Sequence, residues 1–252
     1  MQKAYNRKGQ LTVFIILGIV ILFVFGILLL YPKLKLSSVP PPYQWGGPKS
    51  VQGAYEQCAT QTFHDVLTTI GQNGGYAIIP NELQVEGAEF AYWYKDTDSS
   101  RSIMDLKRDI ETLFASQLMI DCDYISFAAR TIGIAVVSTG DLQLNVSLNE
   151  QDVSAQIYLP FTATQANVQA ISVPMLLQEQ IPLSHIISDI QKIVEAYEIR
   201  GEVFSNPQCM QRTINIISLQ HSLIINYTAQ TGVADNSYTF WFALEKNNNE
   251  NE

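Results

Sequence analysis

His185 and Asp189 stand four residues apart in a stretch of helical periodicity, which puts both on one helix face. Such a pair suits half a metal site, or a base with its orienting carboxylate. It equally suits a surface hydrogen bond, and that is the favoured reading. His64-Asp65 is the only adjacent His–Asp pair. Neighbours on a helix diverge by about 100°, so these two do not form an acid–base pair. Cys58 precedes His64 by six residues and does not share its helix face cleanly. His221 reads as a loop residue. Asp121 and Asp123 flank Cys122, with Asp141 further on. Carboxylates two apart suit calcium, but the rest of a calcium loop is missing. Gly71–Gly75 (GQNGG) has no downstream lysine for a phosphate cradle and reads as a helix stop. Nucleophile elbow, zinc-binding helix motif and phosphate loop are all absent from the sequence. No catalytic residue, metal ligand or cofactor is assigned. A hydrolase that draws carboxylates or Cys and His from distant positions stays open as one alternative.

Binding chemistry is better represented. Tyr92, Trp93 and Tyr94 are consecutive in a strand-like run, so both of its faces carry an aromatic ring. Tyr238, Phe240 and Phe242 mark one face of another such run, with Trp241 on the opposite face. Tyr92, Trp93 and Trp241 are therefore candidates for a patch that holds sugar or protein, against the plainer reading of core packing. Asn145-Val-Ser147 and Asn226-Tyr-Thr228 are glycosylation sequons, usable only where the asparagine faces solvent. Of three cysteines, Cys58 and Cys122 each fall in or at the end of an expected helix and are the favoured disulfide pair. Cys209 is then the odd thiol, free, buried or intermolecular. Three buried thiols are the alternative.

The elements that position these residues follow from periodicity. Helices are expected over Val51–Ile70, Ser102–Met119 and Ser184–Tyr197, each with apolar residues at three- and four-residue steps. Ser102 with Asp105 resembles a capping box. Extended runs are expected at Tyr76–Ile79 and Gly87–Tyr94, with a turn at Asp96–Ser100. Thr131–Ser138, Asp141–Leu148 and Val153–Leu159 read as an antiparallel meander, and Arg212–Leu219, Leu223–Thr228 and Ser237–Leu244 as three closing strands. Together they predict an α+β domain over residues 51–246, helices packed on antiparallel sheet, with a subdivision near 165 left open. Residues 247–252 read as a disordered tail.

Ahead of that domain lie twenty uncharged residues, Leu11–Leu30, preceded by Lys3, Arg7 and Lys8. A helix of that length is about 30 Å long, the thickness of a bilayer's hydrocarbon. The expectation is a basic cytoplasmic tip over 1–10, a transmembrane helix over 11–30 and a proline-rich stalk over 31–50 that holds five prolines. All 24 acidic residues and 12 of the 15 basic ones follow residue 30, so the external part carries about −12. That balance disfavours nucleic acid as a partner.

Arg7-Lys8-Gly9-Gln10-Leu11-Thr12, followed directly by the apolar run, resembles the signal peptide of archaeal prepilin-type proteins. It also resembles the start of single-pass envelope proteins of small-genome archaea. The resemblance covers residues 7–30. It implies cleavage between Gly9 and Gln10 and an apolar helix packed into a filament core. Many pilins carry glutamate five residues into the mature chain, where this chain has Phe14.

The expected function is that of a membrane-anchored extracytoplasmic protein with a structural, adhesion or assembly role at the cell envelope. Its expected partners are the lipid bilayer, through residues 11–30, and its own copies or other envelope proteins. A pilin-like filament subunit and a membrane-tethered hydrolase are the alternatives.

Overall fold

A computed structural model describes residues 46–80, 82–95, 98–99, 102–200, 212–230 and 237–246. Among them, no helix is long and apolar enough to cross a membrane. This corrects the expected architecture: what is described is an α+β domain without a spanning helix. The bilayer partner, the single-pass topology and the membrane-anchored function are withdrawn with it. The tip, the span 11–30, most of the stalk, the Gly9–Gln10 junction, Cys209 and the 247–252 tail lie outside the described residues.

Trp45–Glu252 forms one compact unit, and its axis is α1 (Pro48–Gln72). Proline in the first turn starts the helix without wasting an N–H. Val51, Tyr55, Ala59, Phe63, Val66, Leu67 and Ile70 recur at helical spacing and are buried. The helix touches α2 (Ile103–Asp121), α3 (Asp123–Thr131) and strands of every sheet in the unit. Ser102 caps α2: the Asp105 amide donates to Ser102 Oγ at 3.1 Å. Leu106, Ile110, Phe114 and Leu118, four residues apart, form its buried stripe. Phe63 and Phe114 meet at 5.0 Å between ring centroids. Periodicity missed α3, a short helix that follows α2 with only Cys122 between them.

Three sheets surround α1. The largest runs β1 (Glu82–Val85), β2 (Ala88–Lys95), β12 (Ser237–Glu245), β11 (Ser222–Gln230) and β10 (Arg212–Ser218), with β3 (Asp98–Ser99) also on β2. The β12–β2 pair is parallel and the others are antiparallel. β1 was not expected, and Tyr76–Ile79 is irregular rather than extended. Glu86 and Gly87 both have positive φ, the geometry of a tight two-residue hairpin turn.

The other two sheets are β4 (Ala135–Ser138), β7 (Phe161–Gln165) and β8 (Val168–Ile171), and β5 (Gln143–Leu148), β6 (Val153–Tyr158) and β9 (Met175–Glu179). They correct the expected meander. β4 pairs with β7 and not with β5, so the first two expected strands are successive halves of one arm. The second arm is β6 followed by β7, and the third is β8 followed by β9. All three arms break at the same level, near Gly140, Pro160 and Pro174. Proline cannot donate to a ladder. A Cβ on Gly140 would sit 3.1 Å from Pro160 Cγ, so the kinked arms approach closely there.

The last helix, α4 (Leu183–Arg200), buries Ile186, Ile187, Ile190, Val194 and Tyr197. Tyr197 Oη donates to the Glu245 carbonyl at 3.0 Å, and Tyr227 Oη to Asp189 Oδ2 at 2.8 Å. These bonds tie α4 to β12 and β11.

Candidate ligand face

Strand alternation sends neighbouring aromatics of the large sheet to opposite sides. Trp93, Tyr227, Tyr238, Phe240 and Phe242 turn inward and are buried. The inner side receives α1: Trp93 Nε1 donates to the Gly74 carbonyl at 2.7 Å, and Tyr238 Oη to the Leu67 carbonyl at 2.6 Å. Burial holds the Tyr238 phenol well above its ordinary pKa, partly offset by a backbone hydrogen bond from Gly71. The helix end fits so closely that a Cβ on Gly71 would lie 2.6 Å from the Thr239 carbonyl oxygen.

The opposite side is assembled in rows across β10, β11 and β12. Asn215 pairs with Asn226 and Asn226 with Trp241, and the Trp241 ring packs on Phe90 of β2 with centroids 5.7 Å apart. Thr213, Thr228 and Thr239 form the row on one flank. Ile217, Ile224, Ala243 and Tyr92 form the row on the other. Tyr92 Oη lies 2.9 Å from Ser222 Oγ on β11, so its side chain reaches across β12, where small Ala243 leaves it room. Trp241, Phe90, Tyr92, Asn226, Thr228 and Thr239 are half-buried, and Thr213 and Asn215 are exposed. None of the residues in these three rows is charged, although the chain carries −9.

This surface supplies two kinds of contact. The Trp241 and Phe90 rings offer apolar area without charge. Asn and Thr side chains offer both donors and acceptors. Thr228 Oγ1 donates to Asn226 Oδ1 at 2.9 Å, which leaves the Asn226 amide N–H groups as donors. No described group accepts from Trp241 Nε1. No protein-family model, curated protein or solved structure matches this chain. Its function has to come from the chemistry of its own surfaces.

Of the three aromatic candidates, the structure brings Tyr92 and Trp241 onto this one face and turns Trp93 into the core at 2 % exposure. Phe90 and the paired Asn215 and Asn226 were not singled out as binding residues. The signal was there in the alternation of Asn226 with Thr228 and of Thr239 with Trp241. What sequence does not show is that β11 and β12 are neighbours in this register.

The residues weighed for catalysis do not converge. His64 Nδ1 lies 3.5 Å from Glu179 Oε1 on an exposed part of α1. Asp189 accepts from Tyr227 and lies 3.8 Å from Lys192, roles that orient α4. His221 sits in the β10–β11 turn, where its carbonyl accepts from the Lys246 amide. Thr62 Oγ1 donates to Asp121 at 3.4 Å, and Asp123 opens α3. In the GQNGG segment, the Asn73, Gly74 and Gly75 amides donate back to Thr69, Gly71 and Ile70 carbonyls, so they serve the helix end and not an anion. No group of three or more metal-binding side chains occurs among the described residues. Cys58 and Cys122 are disulfide-bonded and clamp α1 to the α2–α3 junction. Asn145 is exposed on β5 and accepts from Lys107 Nζ at 3.1 Å, whereas Asn226 lies half-buried in the row with Asn215 and Trp241.

Proposed function

We propose that this protein is a non-catalytic binding module that takes a neutral glycan on the open face of its large sheet. The observation that carries this reading is the Asn215–Asn226–Trp241 row with Phe90 packed on its indole, free of charge in an acidic chain. A sugar ring presents an apolar C–H face and an equatorial belt of hydroxyls. The aromatic pair suits the first, and the amide and threonine rows suit the second. From β2 to β10 the face spans four strands, about 14 Å at about 4.8 Å per strand, enough for an oligosaccharide and not only a single ring. The Cys58–Cys122 disulfide fits work in an oxidising compartment.

Neutral oligosaccharides titrated into the full-length chain are expected to change tryptophan fluorescence, because Trp241 sits at the centre of the face. Trp241→Ala is expected to lower affinity at least tenfold while leaving the fold intact. Binding that survives both Trp241→Ala and Asn226→Ala, or a complete lack of response across a broad panel of neutral glycans, sinks the reading.

A further inference from the structure

The edge strand β10 differs from the other end of its sheet. That far end is a four-residue strand, β1, which includes Glu82. β10 is longer, pairs with β11 in unbroken register, and has no charge and no proline over residues 213–218. Charge, proline, bulges and shortness are the usual devices that keep an edge from pairing, and β10 has none of them over that stretch. Among the described residues no strand lies beyond it. It also exposes isoleucine on both faces of the sheet: Ile216 is 42 % exposed on the inner side and Ile217 49 % on the outer. The helices that cover the inner face therefore stop short of β10.

We infer that β10 is a self-pairing edge, on which a second copy of this chain adds its own β10 antiparallel about a twofold axis through Asn215. The strand is self-complementary in that register. Asn215 faces its own copy, Ile214 faces the partner's Ile216, and Thr213 faces the partner's Ile217. Isoleucines left half-covered in one copy are covered by the other, and β-branched cross-strand pairs are favourable. The neutral edge lets two acidic chains approach where neither presents a carboxylate. Six strands from each copy, β3 included, then form one twelve-stranded sheet. Directly opposed residues point to the same side, so the two outer faces join and their Asn215–Asn226–Trp241 rows meet end to end. The self-pairing itself does not depend on the glycan reading.

The test uses the full-length chain with Cys209→Ser, to remove the native odd thiol, and Asn215→Cys. Mild oxidation is expected to give a covalent dimer. Thr213→Cys in the same background is expected to give at least tenfold less, because its own copy lies several residues away along the strand. Ile216→Lys places two cations near one another across the axis and is expected to weaken the dimer at least tenfold in sedimentation, with an unchanged circular dichroism spectrum to show that the fold is intact. A dimer that persists in Ile216→Lys overturns the inference. So does equal cross-linking at 213 and 215, or no cross-linking at 215. Pairing of β10 with another protein's strand would leave the purified chain without the Asn215→Cys dimer, and that too overturns it.

Discussion

The two faces of the large sheet are built from the same alternating strands, yet they do different work. The inner face places Trp93, Tyr227, Tyr238, Phe240 and Phe242 under α1 and α4, and all five are buried. Every polar tip among them meets a group from those helices or the turn that ends α1: Trp93 the Gly74 carbonyl, Tyr238 the Leu67 carbonyl, Tyr227 the Asp189 carboxylate. The outer face carries Phe90, Tyr92 and Trp241, partly exposed, among amides and hydroxyls from neighbouring strands. An aromatic residue becomes core or surface according to what covers it. The helix that supplies its hydrogen-bond partner decides this more than the residue type does.

Replacing one indole on each side is the strongest way to break the comparison. Trp93→Ala empties a packed site between Phe240 and Phe242 and orphans the Gly74 carbonyl. It is expected to cost about 3–5 kcal/mol, read as a fall in the urea midpoint. Trp241→Ala is expected to cost about 1 kcal/mol or less, because solvent already reaches its site. Equal losses would mean that the outer face is covered in solution and is no ligand surface.

The disulfide supports the inner side from a distance. Cys58 and Cys122 are separated by 64 residues, and the bond pins the helix that covers the inner aromatics. Cys58→Ser with Cys122→Ser is expected to lower stability by about 2–4 kcal/mol in chemical denaturation. Glycan affinity of the folded fraction is expected to change less than twofold, since neither cysteine approaches the outer face. A large loss of affinity without unfolding would tie the two sides together more tightly than the packing implies.

The inner side was the more legible of the two in the sequence. Helical spacing in 51–70, 102–119 and 184–197 recovers three of the four described helices to within a few residues, because burial of one stripe is a local pattern. Alternation in 223–228 and 237–244 recovers β11 and β12 for the same reason. The Cys58–Cys122 pairing was open to reading because one falls on an expected helix and the other at the end of one. Pairing was less legible. The split of 131–148 into β4 and β5 depends on Pro160 and Gly140 meeting across two arms, which no window of one strand contains. The parallel junction of β2 with β12 joins residues far apart in the chain, and it alone puts Phe90 on Trp241. α3 was lost because only Ile125 and Ala129 of its nine residues are buried. The expected spanning helix shows the opposite limit: hydropathy over 11–30 says nothing about the domain, and no described helix has that character.

Removing one phenol oxygen from the inner side sharpens the comparison further. Tyr238→Phe deletes the bond to the Leu67 carbonyl and is expected to cost about 1 kcal/mol near neutral pH. Its pH dependence carries more information. Tyr238 in the fold is held above the ordinary value of 10.0, chiefly by burial, while the unfolded chain ionises near that value. The stability from keeping the phenol neutral is therefore fully present below about pH 10, and is lost as pH rises from there toward the folded pKa. Wild type is expected to lose stability between about pH 9 and about pH 11 more steeply than Tyr238→Phe, with titrations common to both cancelling. Parallel curves for the two proteins would mean that the phenol is not buried in solution.

The same deletion on the outer side is expected to have the smallest effect. Tyr92→Phe removes the contact with Ser222 Oγ, a bond between two side chains of one sheet with no helix involved. The ring still crosses β12 over Ala243, and the Ser222 hydroxyl left behind, although only 3 % exposed, is free to rotate toward another acceptor. A cost of about 0.5 kcal/mol follows, near the low end for a hydrogen bond, with no change in alkaline sensitivity. Denaturation of Tyr92→Phe and Tyr238→Phe in parallel reads the difference directly. A cost for Tyr92→Phe as large as that for Tyr238→Phe would show the outer aromatics to be as firmly built in as the inner ones, and would move the ligand face from a surface that receives to one that is already closed.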